Sequence, residues 1–292
     1  MEKSQPATVV SAYYEMKSKY SATEYRLWIR NFLENFPCHL VFFTEEALAP
    51  FIQECRANYT DKTRIIVLPR SEWKATTAFP PTFWEQQAAL DPERAIHSPD
   101  LYKVWYEKKE FVRRAIELNP FGHTDFVWTD AGVFRDSNLI AAVAERYPVA
   151  SRIPTDRLLL LNYMPFTPGD ERTHEFPGGT KIVFPHDKPR IHGACLAAPA
   201  QLWNWWIDAY DETLARFRKA GLFVGKDQTI MASLALENRG KVALLDLRKA
   251  APDMWLYLLL YLGCSPQWHS FLRSEKARQS PRMKYSDFVT KN

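Results

Sequence analysis

The sequence predicts an α/β protein in which a mostly parallel central β-sheet is flanked by helices. Short apolar runs rich in β-branched residues alternate with helical patterns from residue 7 to residue 69. This alternation is typical of β-α-β units, whose strands lie side by side in one sheet. After about residue 150 the runs are separated by polar turns rich in Gly and Pro, which indicates a mixed second half.

Each element before residue 150 has its own signal. Residues 7–14 form a continuous β-branched run, as expected of an inner strand of a parallel sheet. Apolar residues recur at helical spacing over 21–35, after a start rich in Ser and Thr. Segment 70–98 is rich in Pro and aromatic residues, and we expect an irregular excursion over the sheet edge. Further strands are predicted at 39–44, 63–69 and 126–129, and further helices at 45–59, 100–118 and 137–146, the last opening at Ser137.

In the part of the chain after about residue 150, the sequence predicts strands and helices in a less regular order. The apolar stretch 254–263 is predicted to be a buried strand or helix, because it falls short of the roughly 20 residues that span a bilayer. Residues 273–292 are charged and weakly patterned, and we expect a frayed tail. Other strands are predicted at 158–163, 180–184, 193–199 and 241–247, and helices at 202–220 and 227–237.

Composition narrows the class of function. The 292-residue chain is 46% hydrophobic and 25% charged, like an ordinary globular protein, and its net charge of +4 suits small anionic ligands such as nucleotides. We expect no nucleic-acid partner, because no run of Lys and Arg is present. No signal segment or transmembrane segment is seen, so a cytoplasmic location is expected. The widely spaced cysteines are expected to be buried apolar side chains: Cys38, Cys55, Cys195 and Cys264.

Familiar catalytic motifs are missing from the sequence. It contains no Walker-A loop, no GxGxxG after the first strand, no GxSxG nucleophile elbow and no HExxH. These absences exclude several large classes of α/β enzyme.

The segment 124–136 is the most informative part of the chain. An apolar strand, Phe126-Val-Trp128, leads directly into Asp130 and the small-residue turn Ala131-Gly132. Ligands bind at the carboxyl ends of strands in an open α/β sheet, so we expect Asp130 to face a crevice. A carboxylate there can hold Mg²⁺ or Mn²⁺ beside a phosphate. The alternative is a surface Asp that caps a turn.

Three further places carry candidate residues. Asp227 and Gln228 stand at the start of a predicted helix, where Asp227 is either catalytic or the N-cap. Lys108 lies at the margin of the apolar face of helix 100–118 and could reach a diphosphate as a point charge. His192 precedes a small-residue strand, and its alternative is a purely structural role.

These motifs together resemble one known family. The patterns that carry the resemblance are Val9-Val-Ser-Ala-Tyr-Tyr14, Leu101-Tyr-Lys-Val-Trp-Tyr-Glu-Lys108, Asn119-Pro-Phe121 and Phe126-Val-Trp-Thr-Asp-Ala-Gly-Val-Phe-Arg135. With them, the chain resembles the HtrL/YibB family of glycosyltransferase-like proteins of the GT-A type over residues 7–136. A weaker similarity to GT-A enzymes at large covers 191–195 and 225–229.

The resemblance implies a GT-A-like (Rossmann-like) sheet whose residues 1–148 bind the nucleotide sugar and whose residues 149–272 form a mixed, acceptor-binding half. It also implies Mn²⁺ or Mg²⁺ at an Asp-x-Asp-type motif, although Trp128 replaces the first carboxylate and only Asp130 remains. The metal would then depend on the donor diphosphate and waters, or on a ligand from elsewhere, His192 or His269. If no metal is used, Lys108 or Arg135 would neutralise the leaving group.

The implied activity is that of a hexosyltransferase-like glycosyltransferase, which moves a sugar from a nucleotide-diphosphate sugar to a carbohydrate or other hydroxyl acceptor. Asp227 and Gln228 are the catalytic candidates, with Asp227 either bonding donor-sugar hydroxyls or deprotonating the acceptor. The alternatives are a non-catalytic nucleotide- or carbohydrate-binding protein, and a nucleotidyltransferase, which the missing Gly-rich loop disfavours. The residues expected at the donor are Ala12, Tyr13, Tyr14, Lys108, Thr129, Asp130, Arg135, His192 and Gly193.

Overall fold

The computed structural model describes residues 6–185 and 188–289. Its strands are β1 (Thr8–Tyr13), β2 (His39–Thr44), β3 (Thr63–Val67), β4 (Asp125–Thr129), β5 (Leu158–Asn162), β6 (Thr173–Phe176), β7 (Thr180–Val183), β8 (Ile191–Pro199) and β9 (Val242–Asp246). Its helices are α1 (Ala22–Asn35), α2 (Ala49–Cys55), α3 (Lys74–Thr77), α4 (Phe83–Leu90), α5 (Pro99–Leu118), α6 (Ser137–Val143), α7 (Ala200–Lys219), α8 (Asp227–Glu237), α9 (Tyr257–Gly263), α10 (Pro266–Arg273) and α11 (Glu275–Gln279).

Within these ranges seven strands form the central sheet, in the order β3-β2-β1-β4-β8-β5-β9. Strand β8 runs antiparallel to both of its neighbours, whereas the other pairs of the sheet are parallel. Strands β6 and β7 form a separate antiparallel pair. The predicted α/β fold with a mostly parallel sheet is therefore confirmed, and both halves of the chain share this sheet.

Successive residues of the inner strands point into two different cores. Val9 and Leu40 belong to the core that α1, α6 and α9 cover, while Val10 and Val41 belong to the core beneath α5, α7 and α8. Alternation along a strand sends neighbours to opposite faces, and helices on both faces explain why these strands are apolar throughout.

Local signals set most helix ends. Ser21 caps α1 in a capping box with Glu24, and Ser98 caps α5, which ends at Asn119 in the left-handed conformation. The residue that caps α6 is Asp136 and not Ser137, because the side chain of Asp136 accepts the hydrogen bond from the backbone N–H of Asn138. These signals act within four residues of the chain, so they can be recognised in sequence.

Three predictions about the elements were wrong. The helix expected over 45–59 shortens to α2, with 3₁₀ turns on either side and Pro50 in its first turn. The excursion 70–98 contains α3 and α4. The tail is not frayed as far as residue 289, because Ala277 and Phe288 are fully buried in the core; residues 290–292 lie outside the described ranges.

Two smaller expectations also have outcomes. The four cysteines are buried free thiols, as predicted. None of the helices between residues 6 and 185 or between 188 and 289 combines the length and the apolar character needed to cross a bilayer.

Candidate active site

A cleft opens where the strand order of the sheet reverses. Strand β1 pairs in parallel with β2 on one side and with β4 on the other, so all three end at the same edge. Ligands of open α/β sheets bind at such a switch point, outside the carboxyl ends of the strands. The cleft has a volume of about 380 Å³, within the range typical of small-molecule sites, and its walls include the segments that follow β1 and β4.

Asp130 lies in this cleft directly after β4. Its Oδ1 accepts a 2.7 Å hydrogen bond from the indole Nε1 of Trp128, and its backbone N–H donates to the carbonyl of Ala194 at 2.8 Å. The side chain keeps 33% of its surface exposed. Its oxygens therefore bond to neighbouring side chains and not to the backbone of the following turn, so the turn-capping alternative is wrong.

Lys108 reaches the same point from α5, although it is nearly buried. Its Nζ lies 3.2 Å from Oδ1 and 3.3 Å from Oδ2 of Asp130, 3.2 Å from Oδ2 of Asp227, and 3.0 Å from the carbonyl oxygen of Gly193, to which it donates. Burial opposes the charge, but the two carboxylates outweigh it and hold the pKa of Lys108 above its ordinary value. The ammonium is therefore charged and in contact with oxygens from three elements.

Asp227 on α8 is the second carboxylate that contacts Lys108. It is the first residue of α8 and follows Lys226, which occupies the N-cap position, so the N-cap alternative for Asp227 is wrong. Its side chain is 7% exposed and lines a second cavity of about 20 Å³ behind the cleft. Burial raises the pKa of Asp227, and Asp130 adds to the effect, while Lys108 opposes it.

Gly193 makes the close approach of Asp227 possible. A Cβ at this position would lie 2.8 Å from Oδ2 of Asp227 and 3.1 Å from Cε of Met231. Any side chain on β8 at this point would therefore push the carboxylate away from Lys108. The close contact with Asp227 thus explains why a glycine stands at position 193 of the predicted small-residue strand.

Aromatic rings and cations form the outer wall of the cleft. Tyr13 packs against Tyr25, with ring centroids 6.2 Å apart, and burial raises the pKa of Tyr13 to about 12. The guanidinium of Arg135 stacks over Trp28 at 3.9 Å from the ring centroid, and its Nε donates to the carbonyl of Gly132. Flat rings beside fixed positive charge suit a ligand that has both a base or sugar and phosphates.

Some residues predicted at the donor lie deeper than expected. Tyr14 borders the cleft but is 4% exposed, and its hydroxyl donates to the carbonyl of Leu68. Thr129 is fully buried, and its hydroxyl shares a 2.6 Å hydrogen bond with Tyr147. Ala12, Tyr13, Lys108, Asp130 and Arg135 line the cleft itself.

His192 precedes Gly193 in the chain, and Gln228 follows Asp227. The side chains of His192 and Gln228 contact other parts of the protein. His192 packs on Trp255 with ring centroids 5.0 Å apart, and burial lowers its pKa to about 4, so the ring is neutral at pH 7. Nε2 of Gln228 donates to the carbonyl of Ile191 at 2.9 Å, which ties the start of α8 to β8.

The predicted metal ligand His269 is not among the residues that line the cleft. His269 belongs to α10 and packs against Tyr261, and burial together with the charge of Arg152 lowers its pKa to about 4. In residues 6–185 and 188–289 no group of three His, Cys, Asp or Glu side chains is arranged to hold a metal ion. The oxygens around Asp130 surround the ammonium of Lys108 instead, so the residues as arranged do not fit a divalent ion.

Sequence reasoning missed several residues of the cleft wall. Trp105, Tyr25 and Tyr20 line the cleft, as does Lys19. Tyr25 and Trp105 were both assigned to the apolar face of a helix, because helical spacing does not distinguish a core face from a cleft face. Two tyrosines that follow β1, Tyr14 and Tyr20, were a signal that could have indicated part of this wall.

The fold of this chain is similar to the folds of solved structures. The apo form of mouse xyloside xylosyltransferase 1 is similar, with a TM-score of 0.48 and 10% identity over 97% of this chain and 96% of that one. Neither a family model nor a curated protein matches the sequence. The HtrL/YibB resemblance therefore stays a prediction, and a function has to be argued from the chemistry of the cleft.

Proposed function

We propose that the protein is a glycosyltransferase of the GT-A type, which transfers a sugar from a nucleotide-diphosphate sugar to a hydroxyl acceptor. One observation carries the proposal: Asp130 lies in the switch-point cleft and is joined there to Lys108, 22 residues away in the chain. An acid and a fixed ammonium at the strand ends form the kind of polar centre that orients a phosphate-bearing ligand.

Two kinds of side chain on the cleft wall suit the two parts of the donor. Tyr13 and Tyr25 offer ring faces to the base, in line with the sequence prediction for the segment after β1. Lys19, Arg135 and Lys108 place three cations around the same cleft, where the diphosphate would lie. Arg135 is held over Trp28, so its charge is already oriented before a ligand arrives.

The chemical step needs stabilisation of the departing diphosphate. When the bond between sugar and phosphate breaks, negative charge grows on the phosphate oxygens, and preorganised cations lower that barrier. Lys108 and Arg135 supply this charge, and the carboxylate of Asp130, whose side chain is 33% exposed, accepts a hydrogen bond from a sugar hydroxyl. The acceptor oxygen bonds to the sugar carbon as the bond to phosphate breaks, and the acceptor proton passes to the departing phosphate. Asp227 holds Lys108 from behind the cleft, and so in this proposal it is a positioning residue and not the base that the sequence suggested.

A nucleotide screen tests the proposal directly. Purified protein is heated with UDP, GDP, CDP, ADP and their sugar conjugates, because a ligand that binds the folded state raises the melting temperature by mass action. Free nucleotide released from a sugar conjugate, with and without a panel of hydroxyl acceptors, reports turnover. If no conjugate shifts the melting temperature or releases nucleotide, the proposal is wrong.

A matched pair of variants ties the activity to the cleft. Asp130→Ala should lower turnover by about 10²-fold or more, the loss typical when a group that contacts the transition state is removed. Asp156→Ala removes a carboxylate that is 72% exposed and should leave turnover unchanged. Equal activity in the two variants would contradict the assignment of Asp130.

A non-catalytic nucleotide- or carbohydrate-binding protein is the second candidate. Both acidic side chains at the centre, Asp130 and Asp227, are already paired with Lys108, which favours binding without a free base. That candidate predicts a thermal shift with nucleotide sugars but no release of nucleotide with any acceptor.

A further inference from the structure

The coordination of Lys108 is the feature that goes beyond the proposed reaction. Its Nζ has four oxygen atoms within 3.3 Å, two of Asp130, one of Asp227 and the carbonyl of Gly193. Carboxylate and carbonyl oxygens are the ligands that hard divalent cations use in proteins. The ammonium therefore lies inside an oxygen set that would otherwise suit a metal ion.

The neighbourhood keeps the ammonium in this place. The side chain is 10% exposed, and its helix, α5, packs against α7 and α8. Trp128 donates its indole N–H to Asp130 at 2.7 Å. The hydrogen bond from Trp128 thus fixes the orientation of the Asp130 carboxylate, which contacts Lys108.

We propose that the ammonium of Lys108 takes the place of the divalent cation, so that a nucleoside diphosphate binds in this cleft without a metal ion. The nucleotide part of this inference rests on the proposed function, whereas the occupancy of the oxygen site by Lys108 does not.

The charges of the cleft agree with such an exchange. A divalent ion would balance the two carboxylates, while Lys108 supplies a single positive charge. Lys19 and Arg135 add positive charge on the cleft wall, where phosphates would otherwise depend on a metal.

Mn²⁺ alone is the probe, with binding followed by the electron paramagnetic resonance signal of the free ion. Wild type should show no specific Mn²⁺ site. Lys108→Ala removes the ammonium and leaves its oxygens, so it should bind one Mn²⁺ at least about tenfold more tightly than wild type. Lys103→Ala, a lysine on the same helix that pairs with Asp100, is the matched control and should behave like wild type.

Adding Asp227→Asn to Lys108→Ala should weaken the gained Mn²⁺ site again by about tenfold, because it removes one of the charged ligands. One stoichiometric, tight Mn²⁺ in wild type would overturn the inference, and so would a folded Lys108→Ala variant that gains no Mn²⁺. If Lys108→Ala does not fold, the wild-type Mn²⁺ titration still decides.

A second measurement separates this inference from the proposed function. The affinity of wild type for UDP or GDP should change by less than about twofold between EDTA and Mn²⁺. Binding only with Mn²⁺ would overturn the inference and leave the glycosyltransferase proposal standing. A gained Mn²⁺ site in Lys108→Ala, with no nucleotide bound under either condition, would overturn the glycosyltransferase proposal and the nucleotide part of this inference. It would leave the occupancy of the oxygen site by Lys108 standing.

Discussion

Substituting Gly193 by alanine tests the packing that holds the candidate site together. The added Cβ would lie 2.8 Å from Oδ2 of Asp227, closer than a Cβ normally approaches an oxygen, and 3.1 Å from the flexible end of Met231. Met231 can turn away. Asp227 cannot do so freely, because its side chain is only 7% exposed and its carboxylate is paired with Lys108.

The expected cost follows from these contacts. The backbone has little room to retreat, since β8 is paired with strands on both sides. Overpacking of this kind costs about 1–3 kcal/mol, and moving Asp227 away from Lys108 adds to it because both groups are buried. Gly193→Ala should therefore lower the free energy of unfolding by about 2 kcal/mol.

Urea denaturation at neutral pH measures this difference. Gly240→Ala is the matched control, because a Cβ there meets nothing within 4 Å, and it should stay within about 0.5 kcal/mol of wild type. A double-mutant cycle identifies the cause: with Asp227→Ala already present, the cost of Gly193→Ala should fall by about 1 kcal/mol or more. If Gly193→Ala is as stable as Gly240→Ala, the described contact between β8 and α8 is wrong.

Three further predictions concern other parts of the molecule. Burial raises the pKa of Glu107 from 4.5 to about 7, so the folded state holds the proton more tightly than the unfolded state. The free energy of unfolding should therefore fall by up to about 3 kcal/mol as pH rises through this interval. Glu107→Gln should flatten this dependence, measured by urea denaturation at about pH 5 and pH 7.5. Trp128→Phe removes the hydrogen bond to Asp130 and should lower the free energy of unfolding by about 2 kcal/mol; an unchanged urea midpoint would show that the indole N–H does not matter. Phe288→Ala should cost about 3–5 kcal/mol, because the ring is fully buried, whereas a frayed tail would tolerate it with no change in melting temperature.

Elements with a strong local pattern were predictable. The alternation of β1, α1 and β2 is visible because a buried strand needs a continuous apolar run and an amphipathic helix needs apolar residues at helical spacing. Strand β6 was missed, since Thr173–Phe176 has only two partly buried side chains and pairs with β7 alone. Its place depends on a partner and not on its own pattern.

The site was predictable only in part, for a similar reason. Asp130 was found because it follows an apolar strand, and ligands of open α/β sheets bind at the carboxyl ends of strands. Lys108 and Asp227 were candidates from separate arguments, and their contact with each other could not be inferred. The cleft face of the Tyr25 and Trp105 helices was missed, because the same spacing describes a side chain in a core and one on a cleft wall.

The sequence by itself determined the class of fold and the position of Asp130 at a strand end. These depend on residue type and short-range spacing, which a chain shows without being folded. The tertiary structure alone decided that β8 enters the sheet in the antiparallel direction between β4 and β5 and brings Gly193 to Lys108, 85 residues away in the chain. Contacts between such distant residues follow from how whole elements pack, and no local pattern encodes the ammonium among four oxygens that results.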